Sequence, residues 1–159
     1  MLRHRQRGWV PIGIPRTLSL GEDNRLLMVP AEELKVLRKN QININSSGIY
    51  TVSNAFEMIV EFDDFAETDC FELYIGDTQI SVAEKQCILR DITVSGDEYK
   101  KLCKLHLFVD VSIAELFLND GMCSITRCIP ALSDEVCVKI VSTKEFSGSV
   151  WNLELPDEN

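Results

Sequence analysis

VDVSIAELFLNDG, residues 109–121, holds two acids, Asp110 and Glu115, five residues apart, and ends in Asp120-Gly121. Its reading decides the fold. Read as a strand, residues 114–119 put Ala114, Leu116 and Leu118 on one face and Glu115, Phe117 and Asn119 on the other. The first set is apolar and belongs to a core. Asp120-Gly121 is the signal of a two-residue type I′ hairpin turn. The returning chain then sets Cys123 opposite Leu118 and Ile125 opposite Leu116, both apolar pairs. Asp110 ends the strand before, where an aspartate commonly stabilises a turn. The hairpin explains nearly every residue of the stretch, and nothing in the spacing requires the acids to form a catalytic carboxylate pair.

The same period of two runs outward from this hairpin. AFEMIVEF (55–62) alternates Phe56, Met58, Val60 and Phe62 against Glu57 and Glu61. FELYIGDTQISV (71–82) reads as two short strands about Gly76-Asp77. CILRDITV, KLHLFVD, CSITRCI, EVCVKIVS and SVWNLEL each read as one strand of four to eight residues. Many short strands without a βαβ rhythm predict an all-β fold, an antiparallel two-sheet β-sandwich of jelly-roll, concanavalin-like type.

The first forty residues differ. GWVPIGIPRTLSL (8–20) carries Pro11 and Pro15, which exclude a helix interior or a central strand and leave an edge strand or extended connector. GEDN (21–24) is a turn, and RLLMVP (25–30) a short strand. AEELKVLRKN (31–40) is predicted to be a short amphipathic helix. Acids open it, Lys35, Arg38 and Lys39 close it, and Leu34 and Leu37 share a side.

Composition narrows the function classes. In 159 residues, 45% are hydrophobic and 26% charged, ordinary values for one globular domain. A net charge of -9 repels a phosphate backbone, so nucleic acid is not an expected partner. The one basic cluster, RHRQR (3–7), reads as a solvated terminus. No apolar run reaches the length of a membrane span and no signal-peptide h-region follows the basic start, so no membrane is expected. Six cysteines without a C-x-x-C pair read as reduced, mostly buried thiols of a cytoplasmic protein, with no zinc site. The sequon at Asn45 matters only after secretion. The acid-rich EFDDFAETD (61–69) lacks EF-hand spacing and reads as a solvated loop; no metal or cofactor is expected. His106 faces away from Leu105 and Leu107 as a surface or supporting residue without an acid partner in sequence. Trp9 and Trp151 read as packed aromatics, with sugar stacking as the alternative.

Three stretches together resemble glycoside hydrolase family 32, the invertases, fructan hydrolases and sucrose-6-phosphate hydrolases. GWVPIGIPRTLSL looks like a segment ending L-P-R-E-L-S-L: Pro15, Arg16, Leu18, Ser19 and Leu20 match, and Thr17 replaces a glutamate. LLMVPAEELKVLR is similar to a P-x-x-E-L-x-x-L-R linker, through Pro30, Glu33, Leu34, Leu37 and Arg38. LHLFVDVSIAELFLNDG is similar to F-V-D-R-S-S-V-E-V-F-V-N-D-G, through Asp110, Ser112, Glu115, Phe117, Asn119, Asp120 and Gly121. Val111 stands for an arginine and Ile113 for a serine.

The resemblance implies a place in a two-domain architecture, in which a catalytic five-bladed β-propeller precedes a β-sandwich. Residues 1–30 would be a connector resembling the last propeller segment, 31–40 a linker helix and 41–159 the C-terminal sandwich. The family's catalytic motifs are W-x-N-D-P-N-G, R-D-P and an E-C dipeptide, and none occurs here. Asn119-Asp120-Gly121 lacks the tryptophan and proline, and Arg90-Asp91 is followed by Ile92. No catalytic residue is therefore carried over. The implied role is a non-catalytic module that packs on the propeller of a β-fructosidase. Trp9, Arg16, Glu115 and Phe117 are the candidate docking residues; Phe117, on the face opposite Leu116 and Leu118, is either exposed for docking or covered by the sandwich's own loops or second layer. The other readings are a carbohydrate-binding module and an orphan product of a split or truncated gene. A second copy of the chain and carbohydrate are the further candidate partners.

Overall fold

The computed structural model describes residues 12–21 and 24–156. Trp9 and the basic cluster at 3–7 lie outside them. Two antiparallel six-stranded sheets stack over one core. The first has the order β12-β11-β10-β5-β14-β3, built from β3 (Arg38–Ile44), β5 (Ala55–Glu61), β10 (Lys104–Asp110), β11 (Ile113–Leu118), β12 (Cys123–Cys128) and β14 (Ser147–Leu153). The second has the order β4-β13-β6-β7-β8-β9. Its strands are β4 (Gly48–Ser53), β6 (Cys70–Ile75), β7 (Thr78–Ala83), β8 (Gln86–Leu89), β9 (Ile92–Ser95) and β13 (Glu135–Ser142). Outside the sandwich, β1 (Arg16–Leu20) and β2 (Leu26–Pro30) form a two-stranded sheet. The predicted antiparallel β-sandwich is the observed fold.

The inward residues of each strand make the core. Phe56, Met58 and Val60, with Leu105, Leu107 and Val109, and with Ala114, Leu116 and Leu118, join Leu73, Ile80, Val82 and Val138 in one cluster from which water is excluded. At one end Phe62, Phe65, Phe71 and Phe146 meet, mostly edge to face, with centroids 4.9–6.3 Å apart. Phe65 belongs to the acidic loop, so that loop is solvated along its polar residues and anchored by its phenylalanines. Of its acids, Asp64 pairs outward with Lys101 and Glu67 with Lys85.

The hairpin has the predicted register, Leu116 opposite Ile125 and Leu118 opposite Cys123. Met122 N donates to Asn119 O (3.3 Å), and the central residues Asp120 and Gly121 have φ of 52° and 82°, the signs of a type I′ turn. Asn119 locks the tip. Its side-chain oxygen accepts from the backbone N–H of Cys103 and Lys104 at 2.9 and 3.0 Å, and its amide donates to the carbonyls of Tyr99 and Lys101.

Three expectations need correction, and one element was not foreseen. The helix expected over 31–40 is a 3-10 helix, Glu32–Leu37, and Arg38, Lys39 and Asn40 already belong to β3. Arg38 and Lys39 mimic the basic end of a helix, but Arg38 is drawn into the sheet by a carboxylate described below. CILRDITV is two strands, because Arg90 takes a left-handed conformation (φ 56°) and turns the chain at Arg90-Asp91. The turn Gly96–Tyr99, capped by the Ser95 hydroxyl, was not legible. All six thiols are free, yet only Cys87 is fully buried, while Cys103, Cys128 and Cys137 are exposed.

Candidate functional site

The outer face of the first sheet concentrates the charged chemistry. Cross-strand pairing lines up two rows there. One runs Thr126, Glu115, Phe108, Glu57, Trp151, and the other Ser124, Phe117, His106, Ile59, Ser149. An outer face of a sandwich is normally wet. Here Glu57, Glu115, Phe108 and Phe117 are all at most 3% exposed, because Ile14 and Arg16 of the connector lie against Glu115, Phe117 and Phe108, and Arg38 and His106 close over Glu57.

Arg16, at the start of β1, reaches back across the hairpin. Its guanidinium pairs with Glu115 Oε2 and donates to Thr126 Oγ1 (2.7 Å) and Ser124 Oγ (3.3 Å). Ile14 N donates to Glu115 Oε1 at 2.6 Å, and the Thr126 hydroxyl donates to Glu115 Oε2 at 3.2 Å. The guanidinium also lies over the Phe117 ring, 4.9 Å from its centroid. Gly13 passes so close that a Cβ there would stand 3.0 Å from Glu115 Oε2.

Arg38 repeats the device on the far side of Phe108. Its Nε and Nη2 grip Glu57 at 2.7 and 2.6 Å, the fork geometry that arginine offers a carboxylate. Its planar head lies over Trp151, 4.1 Å from the ring centroid. His106 Nε2 adds a third bond to Glu57 Oε1 at 2.6 Å, and its ring stacks beside Phe108 at 4.9 Å. Burial pushes the Glu57 carboxyl up, but the bonds from Arg38 and His106 outweigh it and hold it below its ordinary value.

Of the four candidate docking residues, Arg16, Glu115 and Phe117 come together as one cluster, and Trp9 lies outside the described residues. Of the two readings of Phe117 the covered one holds: it is buried, and the cover is Arg16 of the connector. His106 does have an acid partner, Glu57. The Glu57–Arg38 grip was missed by sequence reasoning, although Arg38 stood among the matched residues. Asp110 is exposed at the strand end, opposite Ile113, whereas Glu115 is buried opposite Phe108 with both oxygens engaged. The two acids do not converge on a common open site.

Exposed apolar side chains gather elsewhere on the connector, beside scattered ones at Val36, Ile49, Val111 and Leu155. Ile12, Leu18, Leu20 and Leu26 are 50–92% exposed. Among the described residues β1 pairs only with β2, so its other edge is open. Besides the Arg16 contacts, the hairpin is seated on the sandwich where Met28 N donates to Gly121 O at 3.1 Å and Arg25 Nη1 donates to Glu98 O at 2.5 Å. A Cβ on Gly121 would collide with the Met28 backbone. Among the described residues no cluster of three or more His, Cys, Asp or Glu side chains could hold a metal. No described helix is long and apolar enough to cross a membrane.

Residues 45–154 match the family model of the C-terminal domain of glycosyl hydrolases family 32. Over 126 residues the chain is 29% identical to a sucrose-6-phosphate hydrolase of Lactococcus lactis subsp. lactis, covering 74% of this chain and 26% of that protein. Over 157 residues it is 27% identical to the sucrose-6-phosphate hydrolase of Bacillus subtilis (strain 168), covering 88% and 33%. Among solved structures, a Bombyx mori GH32 beta-fructofuranosidase superposes with a TM-score of 0.74 at 22% identity, covering 89% of this chain and 32% of that one. A sucrose-6-phosphate hydrolase of Lactobacillus gasseri gives 0.66 at 18%, covering 87% and 33%. These superpositions speak for the fold. The chain spans between 26% and 33% of the length of the curated relatives it matches.

Proposed function

Since this chain belongs to glycosyl hydrolase family 32, as its C-terminal domain, we propose that it is a non-catalytic module that packs on the catalytic β-propeller of a β-fructosidase and stabilises it. The observation that carries the reading is the hairpin β1–β2. Four large apolar side chains stand in water on or beside a strand with an open edge. Such an edge is a template for pairing with another sheet, and a chain that leaves it bare risks aggregation. A neighbouring propeller blade would cover both the leucines and the edge.

The two arginine grips give the module its stiffness. Arg16 and Arg38 flank the 3-10 helix and fix its two ends to the same sheet, so the hairpin is presented at a set angle rather than on a loose tether. A buried ion pair is weak evidence of stability in itself, but it specifies geometry. The carboxylates do no chemistry in this reading. Glu115 and Glu57 each hold a guanidinium, and the sequence carries none of the three catalytic motifs of the family. The parent activity would be hydrolysis of sucrose, sucrose 6-phosphate or fructan, in the cytoplasm, where six free thiols persist.

The test is enzymatic. The purified chain should release no fructose from sucrose, sucrose 6-phosphate or inulin, and when added to a matching propeller fragment it should lengthen that fragment's active half-life on warming. Fructose release by the chain alone, abolished in Glu115→Ala, would overturn the non-catalytic reading. An unchanged half-life would overturn the stabilising one.

A further inference from the structure

At Ile14 the connector, the 3-10 helix and the end of β14 enclose an apolar groove. Ile14, Leu34, Leu37, Phe108, Leu153 and Leu155 line it, and Asp110 and Glu154 stand on its rim. The groove is preformed: Glu154 N donates to Leu37 O at 3.0 Å and ties the chain after β14 to the helix. Its volume of about 280 Å³ falls under the roughly 300–1,000 Å³ of small-molecule sites and suits one large side chain. Leu155 on its wall is 85% exposed, an apolar surface left in water. The rim is acidic and unpaired. Asp110 and Glu154 are both exposed, and neither carboxylate makes an ion pair or hydrogen bond with a described residue. An occupant that fits this groove is apolar at its tip and basic beside it.

The chain carries a segment of that composition next to the groove. Residues 1–11, MLRHRQRGWVP, hold Arg3, Arg5 and Arg7, no acid, and then Trp9. Trp9 stands five residues before Ile14, which itself lines the groove, and five extended residues span about 17 Å. We propose that residues 1–11 fold back over this groove as a strap, with Trp9 inside it and Arg5 and Arg7 at Asp110 and Glu154. The indole supplies the apolar burial. The exposed ion pairs contribute little energy and set the direction of approach. The tether decides between this occupant and a free one. A segment so near in sequence is present at an effective concentration on the order of millimolar, which a second copy in dilute solution does not reach. The strap needs only this chain, so it stands or falls independently of docking to a propeller.

The test is NMR of the full chain with its leucine, isoleucine and valine methyl groups labelled. The expected result is NOE contacts from the Trp9 ring to methyls of Leu37, Leu153 or Leu155, unchanged on about tenfold dilution. In Trp9→Ala the ring-induced shifts of those methyls should be lost, while Leu107 and Val138 of the core keep theirs. Asp110→Lys combined with Glu154→Lys, both at exposed positions, should keep the fold and weaken the same contacts. The proposal is overturned if the Trp9 ring touches no groove methyl, or if Trp9→Ala leaves the groove methyls unshifted. It is overturned too if the contacts vanish on dilution, which would make the occupant a second copy, or if the double lysine variant holds Trp9 as the wild type does.

Discussion

Gly121 and Phe117 are the two residues at which the hairpin and the connector depend on each other most directly. Gly121 has φ 82°, a conformation costly for a side chain, and Met28 presses its backbone on the place a Cβ would occupy. Gly121→Val should therefore both strain the turn and lift β2 from the tip, read as a drop in denaturation midpoint together with faster proteolysis after Arg25. Leu116 and Phe117 point to opposite faces, yet both are at most 1% exposed. Leu116→Ala should cost about 2–5 kcal/mol and Phe117→Ala about 3–5 kcal/mol in equilibrium unfolding. A neutral Phe117→Ala would mean that the connector does not lie over that face in solution. The alternation in AELFLN was enough to assign Leu116 to the core. It could not show that Phe117 is buried as well, because a period of two states which side a residue faces and not what covers that side. The same gap hid Glu57: its partners Arg38 and His106 stand 19 and 49 residues away, and no local pattern links them.

The connector is an element held by polar anchors rather than by a core. Removing Arg16 would leave the Glu115 carboxylate buried and unpaired, a cost that peeling the connector away relieves by admitting water. Arg16→Ala should thus raise hydrogen exchange across β1 and β2 while the amides of β10 and β11 stay protected, a local opening rather than unfolding. Equal loss of protection in β11 would contradict this. Glu57 makes a second anchor whose strength depends on pH. Its folded carboxyl lies below the ordinary value of 4.5, so its stabilisation is present above that value and is lost as pH falls through the lowered one. Acid titration of stability should show a weaker fall below about pH 4.5 in Glu57→Gln than in the wild type. Strand boundaries here were legible where turn residues marked them, as at Gly76-Asp77 and Asp120-Gly121. They were illegible at Arg90-Asp91, because an arginine in a left-handed conformation carries no turn signature. The start of β3 was hidden because Arg38 and Lys39 imitate a helix end.

The molecule as a whole has three outer surfaces with different fates: one covered in part by its own connector, one open and polar, and one apolar hairpin in water. Its thiols report on that layout. Cys128 and Cys137, both exposed, should alkylate in the native state, while Cys87, buried and pushed up to about 12, should react only after unfolding, when all six should titrate. A denatured, unreduced count below six would mean disulfides and a different compartment. The sandwich architecture followed from alternation and turn signals, and the matched Arg16 and Arg38 are the two residues that grip Glu115 and Glu57. The central claim is that the hairpin β1–β2 docks this module on a propeller. It is tested most directly by sedimentation of the chain with a matching catalytic propeller fragment, for the wild type and for Leu18→Asp combined with Leu20→Asp. Both leucines are exposed, so the double variant should keep its fold. The account predicts a one-to-one complex with the wild-type chain that the double variant fails to form. No complex with the wild type, or an equal complex with the variant, would contradict it.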